Sequence, residues 1–188
     1  MRTANKPISF AKYACFFLIL GVLFSSSSCK KDEKVVDNLW KEKNEAALKE
    51  LSFSSEYTPV VDPAGNGTLY IKWLKRGEGK RVYYTSLVDV YYKGMLIDKT
   101  QFDKLDKEDG EPFKVAVSQG VSTPEYSAGV IAGWSLSLQY MTEGDKCEVW
   151  IPQSLAYGSS DRIGSSGGVS IPGYSTLIFE IDVVGVKQ

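Results

Sequence analysis

Apolar and polar side chains alternate with a period of two from Thr176 to Val186: Leu177, Phe179, Ile181 and Val183 fall on one side, Glu180 and Asp182 on the other. That period marks a half-buried strand. Leu87–Leu96 repeats it, with Val88, Val90 and Tyr92 set against Asp89, Tyr91 and Lys93. Shorter alternating sets occur at Phe113, Val115 and Val117 and again at Cys147, Val149 and Ile151. Leu69–Leu74 reads as a further extended segment, stopped by the turn Gly77-Glu78-Gly79. Val130–Met141 follows a different rule, because Ile131, Trp134, Leu138 and Met141 share one helical face. The pattern predicts an α+β fold, an antiparallel sheet of about five to six strands wrapped on one short helix, with nothing to support repeated βαβ units.

Upstream the pattern changes. Asp37–Leu51 is expected to be helical, since Leu39, Ala46, Ala47, Leu48 and Leu51 recur near helical spacing among good helix formers. Ser52–Gly67, rich in Ser, Pro, Asn and Gly, reads as a linker ending at a turn. Lys30–Lys34 (KKDEK) reads as the charged start of a tether. The expected division is a leader over 1–28, an anchor with tether and helix over 29–65, and a folded domain over 66–188.

The leader is read from charge and hydropathy together. Arg2, Lys6 and Lys12 precede the apolar run Tyr13–Phe24, which at 12 residues falls short of the roughly 20 that a membrane span needs. Ser25–Ser28 then lead into Cys29, an arrangement that resembles the lipobox of bacterial lipoproteins, in which the cysteine becomes the lipid-modified first residue. Lys30–Lys34 resembles the charged export tags behind the lipid cysteine in Bacteroidetes lipoproteins. The alternative is an ordinary secretory peptide with an incidental cysteine. The lipoprotein reading implies the cell envelope, with the domain anchored to the outer membrane at a periplasmic or surface face.

Composition narrows the chemistry. The 188 residues carry 22 basic and 23 acidic side chains, and removal of 1–28 leaves 19 against 23. No basic stripe suggests nucleic acid. Histidine is absent, which removes the commonest general base and metal ligand and every Ser-His or Cys-His pair. Of three cysteines, Cys15 lies in the leader and Cys29 at the anchor, so Cys147 has no partner for an intrachain disulfide and there is no ligand cluster for a metal. Gly133-Trp-Ser135-Leu-Ser137 is not a nucleophile elbow, and Gly164–Gly168 lacks the Lys-Ser/Thr of a phosphate loop.

Six ordered blocks resemble the FK506-binding-protein (FKBP) type of peptidyl-prolyl isomerase. They are Val90–Leu96 (VYYKGML), Gln101-Phe102-Asp103, Pro112–Val115, Val130–Trp134, Ala156-Tyr157-Gly158, and Ile171-Pro172 followed by Thr176–Glu180. The resemblance covers about residues 66–188. It implies a shallow aromatic pocket for a substrate proline, with Trp134 as floor, Tyr92, Phe102, Phe113 and Phe179 as walls, and Val130 and Ile131 at the rim. Tyr157 would hydrogen-bond a substrate carbonyl, Asp103 would stand at the polar edge, and Ile171 would be a loop aliphatic whose usual companion position is Ser170. Catalysis of this kind needs no metal or cofactor. The implied partners are proline-containing polypeptides and FK506-like macrolides, with the membrane reached only through the lipid.

This chain also departs from compact members. Ser118–Gly129 looks inserted, the Ser/Gly-rich loop between Tyr157 and Ile171 is long, Gly129 replaces a rim glutamate, and Lys104–Glu111 lacks the arginine that often supports the acid. Besides an active isomerase assisting exported proteins, two other readings stand: a non-catalytic binding or chaperone module, and a carbohydrate- or solute-binding lipoprotein. The helix at 37–51 is expected to tether or cap the sheet, with dimerisation as the alternative.

Overall fold

The computed structural model describes residues 29–165 and 167–188, with side chains from Asn38 onward other than Gln119. The leader and the acyl-acceptor side chain of Cys29 lie outside the described residues and side chains. Two units divide the chain, Met1–Lys34 and Val35–Gln188, and the whole of the sheet belongs to the second.

Helix α1 spans Cys29–Leu51, so the tether expected at Lys30–Lys34 is helical backbone. The strands are β1 (Thr58–Val61), β2 (Thr68–Lys75), β3 (Leu87–Met95), β4 (Gln101–Leu105) and β5 (Phe113–Ala116). After helix α2 (Ala132–Leu138) come β6 (Lys146–Ile151), β7 (Arg162–Ile163), β8 (Val169–Ile171) and β9 (Leu177–Lys187). The main sheet has seven antiparallel strands in the order β1-β2-β6-β9-β3-β4, with β5 also pairing β3, and β7-β8 form a separate ribbon.

The count exceeds the expected five to six because β1 and β4 join the five alternating or extended segments in this sheet. Thr58–Val61 lies within the expected linker, yet it pairs with β2, and Val60 is buried. A proline in it, Pro59, is tolerated because β1 is an edge strand. The turn back to β2 is closed by Asp62, whose carboxylate accepts from the Asn66 backbone, with Gly65 at φ +79° where other residues are strained. The sheet therefore begins before residue 66. The Ser/Gly-rich loop, also read without strands, holds the separate β7-β8 ribbon.

The alternation places the core as expected. Val88 and Val90 on β3, Val149 and Ile151 on β6, and Leu177, Ile181 and Val183 on β9 are buried on the face that receives α2. From the helix come Trp134 and Leu138, with Met141 just beyond it. Gly133 is what lets α2 lie this close: a Cβ there would collide with the Ile151 side chain. Ser118–Gly129, the apparent insertion, folds back along β5, where Ala116 N–H donates to Ser127 O at 2.9 Å. Tyr126 is buried within it and its hydroxyl donates to Asp89 at 2.8 Å.

α1 does cap the fold. The Trp40 indole N–H donates to Ser175 Oγ at 2.9 Å, and buried Asn44 accepts from the Thr176 backbone N–H at 2.7 Å.

Candidate active site

β3, α2 and β9 each deliver an aromatic ring to one place. Trp134 sits in the first turn of α2, its ring centroid 5.2 Å from Tyr92 on β3 and 5.2 Å from Phe179 on β9, both nearly perpendicular. Phe113 at the start of β5 lies 5.9 Å from Tyr92 and 6.4 Å from Trp134. Phe102 on β4 stands edge-on to Phe179 at 5.6 Å. Edge-to-face packing at these separations is the favoured geometry for aromatic pairs. Five of the residues expected at a pocket are thus one connected set of rings. Trp134 and Phe179 are buried, whereas Tyr92, Phe102 and Phe113 are half-buried and present ring surface to solvent.

A glycine makes the set possible. At Gly94, between Tyr92 and the end of β3, a Cβ would stand 2.6 Å from Phe102 Cε2 and 2.8 Å from Phe179 Cε1. The sequence signal for this position was its place inside an alternating strand, where an isolated glycine marks close approach.

The polar edge is a single hydrogen bond. Tyr92 Oη donates to Asp103 Oδ2 at 2.8 Å. Burial, and then the Asp103 carboxylate, hold the phenol above the ordinary tyrosine range, with a smaller contribution from nearby Tyr157. Asp103 is exposed, and the adjacent Lys104 turns to Asp106 at 2.9 Å and Asp109 at 3.6 Å. Asp103 is thus supported by the Tyr92 hydroxyl in a chain that lacks, over Lys104–Glu111, the arginine that often supports the acid.

Val130 and Ile131 precede α2 and pack half-buried beside the core, and Ile171, at the end of β8, is buried. Tyr157 is not one of the stacked rings. It is half-buried, and the Arg162 guanidinium lies 4.3 Å from its ring centroid. That the loop carrying Arg162 pairs as the β7-β8 ribbon was not legible, since a Gly/Ser-rich loop carries no periodicity. Among the described residues no group of three or more His, Cys, Asp or Glu is arranged to hold a metal ion.

Known proteins share this fold. The family described as FKBP-type peptidyl-prolyl cis-trans isomerase matches residues 79–184. The chain belongs to this family. The FKBP match spans β3 to most of β9 and so contains every ring of the set. Among relatives, the FKBP-type 22 kDa peptidyl-prolyl cis-trans isomerase of Escherichia coli is 38% identical over 118 residues, 63% of this chain and 50% of that protein. The outer membrane protein MIP of Legionella longbeachae is 36% identical over 166 residues, 88% of this chain and 61% of the relative. The chain thus spans only about half to three-fifths of these relatives' lengths. The crystal structure of FkpA from Escherichia coli superposes with a TM-score of 0.60 at 28% identity, covering 84% of this chain and 66% of that one. No helix among the described residues is long and apolar enough to cross a membrane.

Proposed function

We propose that the chain is a peptidyl-prolyl cis–trans isomerase that assists the folding of proline-containing polypeptides at the cell envelope. The observation that carries this is the ring set around Trp134, open on one side and bordered by the Tyr92–Asp103 hydrogen bond.

Rotation about a peptide C–N bond is opposed by about 18–20 kcal/mol of amide resonance. Before proline both isomers are populated, but exchange takes tens to hundreds of seconds. Acceleration needs a site that binds the twisted amide better than either planar form. An apolar pocket suits that state, because the twisted amide has lost its conjugation and much of its dipole. In this assignment Trp134 is the floor under the pyrrolidine ring, and Tyr92, Phe102, Phe113 and Phe179 are walls that exclude water. Val130, Ile131 and Ile171 contact the flanking residues. Tyr157 O–H donates to a substrate carbonyl, and Asp103, held by Tyr92, fixes the polar side. FK506-like macrolides would compete for the same surface.

The accompanying assignment is of 1–28 as a removed leader and Cys29 as the lipid-modified residue, with 29–65 as the anchored segment and 66–188 as the isomerase domain. The Ser25–Cys29 arrangement supports it, as does the resemblance to an outer membrane protein. Mass spectrometry of the membrane-extracted protein tests it: a chain beginning at diacylated Cys29 is expected, and an unmodified Cys29 would refute the anchor.

The activity test is proline isomerisation of a chromogenic Xaa-Pro peptide by the full chain in mild detergent, beside Tyr157→Phe, Asp103→Ala and Trp134→Leu. Turnover above the uncatalysed rate that falls in the variants is expected. No acceleration by a folded protein would discard catalysis and leave a binding or chaperone module.

A further inference from the structure

The turn Pro172–Thr176 joins β8 to β9, and therefore joins Ile171 to the strand that carries Phe179. It is held from two sides. On one side it grips the segment after Tyr157: Tyr174 N–H donates to Gly158 O at 2.8 Å, and Gly173 N–H donates to Asp161 Oδ1 at 2.7 Å. Gly173 lies so close to Ser159 that a Cβ there would strike its carbonyl oxygen. On the other side the turn is gripped by α1. Thr176 N–H donates to Asn44 Oδ1 at 2.7 Å, and the Trp40 indole donates to Ser175 Oγ, which itself donates to Pro172 O at 2.7 Å. Asn44 Nδ2 donates to Trp40 O at 2.8 Å, so the two gripping residues are locked to each other. Lys41 Nζ lies 5.3 Å from the Tyr174 ring centroid.

Tyr174 itself has φ +62°, a left-handed conformation that a bulky residue keeps only where its surroundings over-determine it. Those surroundings are Gly158 and α1. Asn44 is 2% exposed in a helix whose neighbouring residues Glu42, Lys43, Glu45 and Ala46 are exposed. A buried amide on such a helix is retained for what it bonds, and what it bonds is the turn beneath the pocket loop.

We propose that Asn44 and Trp40 are positioning residues for isomerisation: α1 sets the turn Pro172–Thr176, and the turn sets Tyr157 and Ile171. This rests on the isomerase assignment above. The helix ahead of the sheet is then a working part of the site, and its removal would leave a folded but slower domain.

A double-mutant cycle on the full chain in mild detergent tests this, reading kcat/KM on the Xaa-Pro peptide and, separately, denaturant unfolding. Asn44→Leu removes the acceptor at similar volume, Trp40→Phe removes the indole donor, and Asn44→Asp keeps an oxygen facing Thr176. Glu42→Ala on the exposed side of α1 is the control and should match the parent. Asn44→Leu and Trp40→Phe are expected to lower kcat/KM several-fold under conditions where both remain folded, and Asn44→Asp to recover part of the loss. An ångström of misplacement can cost as much as about a hundredfold, so a loss of this size is in range. On a Tyr157→Phe background the further loss from Asn44→Leu should shrink, because the hydroxyl being placed is gone, while its effect on unfolding stays the same. A merely structural Asn44 would give rate losses that multiply in full, or unchanged rates with lowered stability; either result overturns the proposal. Should Asn44→Leu fail to fold, Trp40→Phe carries the same cycle. An inert parent protein would instead refute the isomerase assignment and the positioning role with it.

Discussion

Tyr92 and Asp103 are diagonal neighbours across β3 and β4: Tyr92 pairs with Leu105, Gly94 with Asp103, and the phenol spans the diagonal to the carboxylate at 2.8 Å. Diagonal positions on one face lie within reach of a long aromatic side chain. Register alone therefore joins an aromatic wall to the polar edge. The carboxylate is exposed, so the hydrogen bond orients it more than it stabilises the fold.

Tyr92→Phe should accordingly keep the fold while lowering kcat/KM by about fivefold, the equivalent of roughly 1 kcal/mol of lost hydrogen bonding. Asp103→Asn, which keeps an acceptor but loses the charge, should fall between Tyr92→Phe and Asp103→Ala. Peptide isomerisation kinetics read all three, and an Asp103→Ala enzyme as fast as the parent would refute the role of the pair.

The same hydrogen bond gives a pH dependence at the alkaline end. Tyr92 is held protonated in the folded chain by burial and by Asp103, whereas an unfolded tyrosine ionises near pH 10. A folded-state value above the unfolded one contributes stability that is complete below about pH 10 and is lost as pH rises through the folded value. Tyr57 is raised in the same direction by burial and by Glu148, to which it donates at 2.6 Å. Denaturant unfolding between about pH 8 and 11.5 should show stability falling above pH 10, with a shallower fall in Tyr92→Phe. A flat profile in the parent would count against this account.

Gly94→Ala is expected to cost about 1–3 kcal/mol, the usual range for overpacking, because its Cβ drives Phe102 and Phe179 apart. The isomerase rate should drop further than the stability loss explains if both rings are walls of the pocket, as proposed. Thermal unfolding and the peptide assay on one preparation check the two effects. Normal activity in Gly94→Ala would show that the ring spacing is slack.

Cys147 should be inert in the native protein. It is buried, and burial with the neighbouring Asp145 pushes its thiol up to about 12. A thiol reagent at pH 8 should therefore label Cys147 only as fast as the domain unfolds. Labelling that is fast and independent of denaturant would mean the core opens locally at β6.

The sheet and the pocket were legible where burial imposes a period. Val88, Val90 and Tyr92, and Leu177 to Val183, announce a face because alternate residues share one. The five rings were legible from the order of six blocks, though any one of them alone reads as core. What was missed lies where no period exists. Val60 is the one buried residue of a four-residue edge strand beside Pro59, and β7 and β8 are two and three residues long. Asn44 and Trp40 act at separations of 132 and 135 residues, and their bonds go to a backbone N–H and a serine hydroxyl. Nothing in the local composition of α1 points to such partners. The absence of an arginine from Lys104–Glu111 was visible, but the Tyr92–Asp103 hydrogen bond depends on β-register.

The strand order carries a consequence for how the molecule is made. β9 follows the other described strands along the chain, yet it lies between β6 and β3 near the middle of the sheet. Until Leu177–Lys187 pairs, β1-β2-β6 and β3-β4-β5 are two part-sheets with open edges and no ladder joining them. Neither can close early, so the sheet cannot lock into its native form before β9 has been synthesised. A sheet of this topology stays open until that central strand arrives and then folds slowly, through non-local pairings.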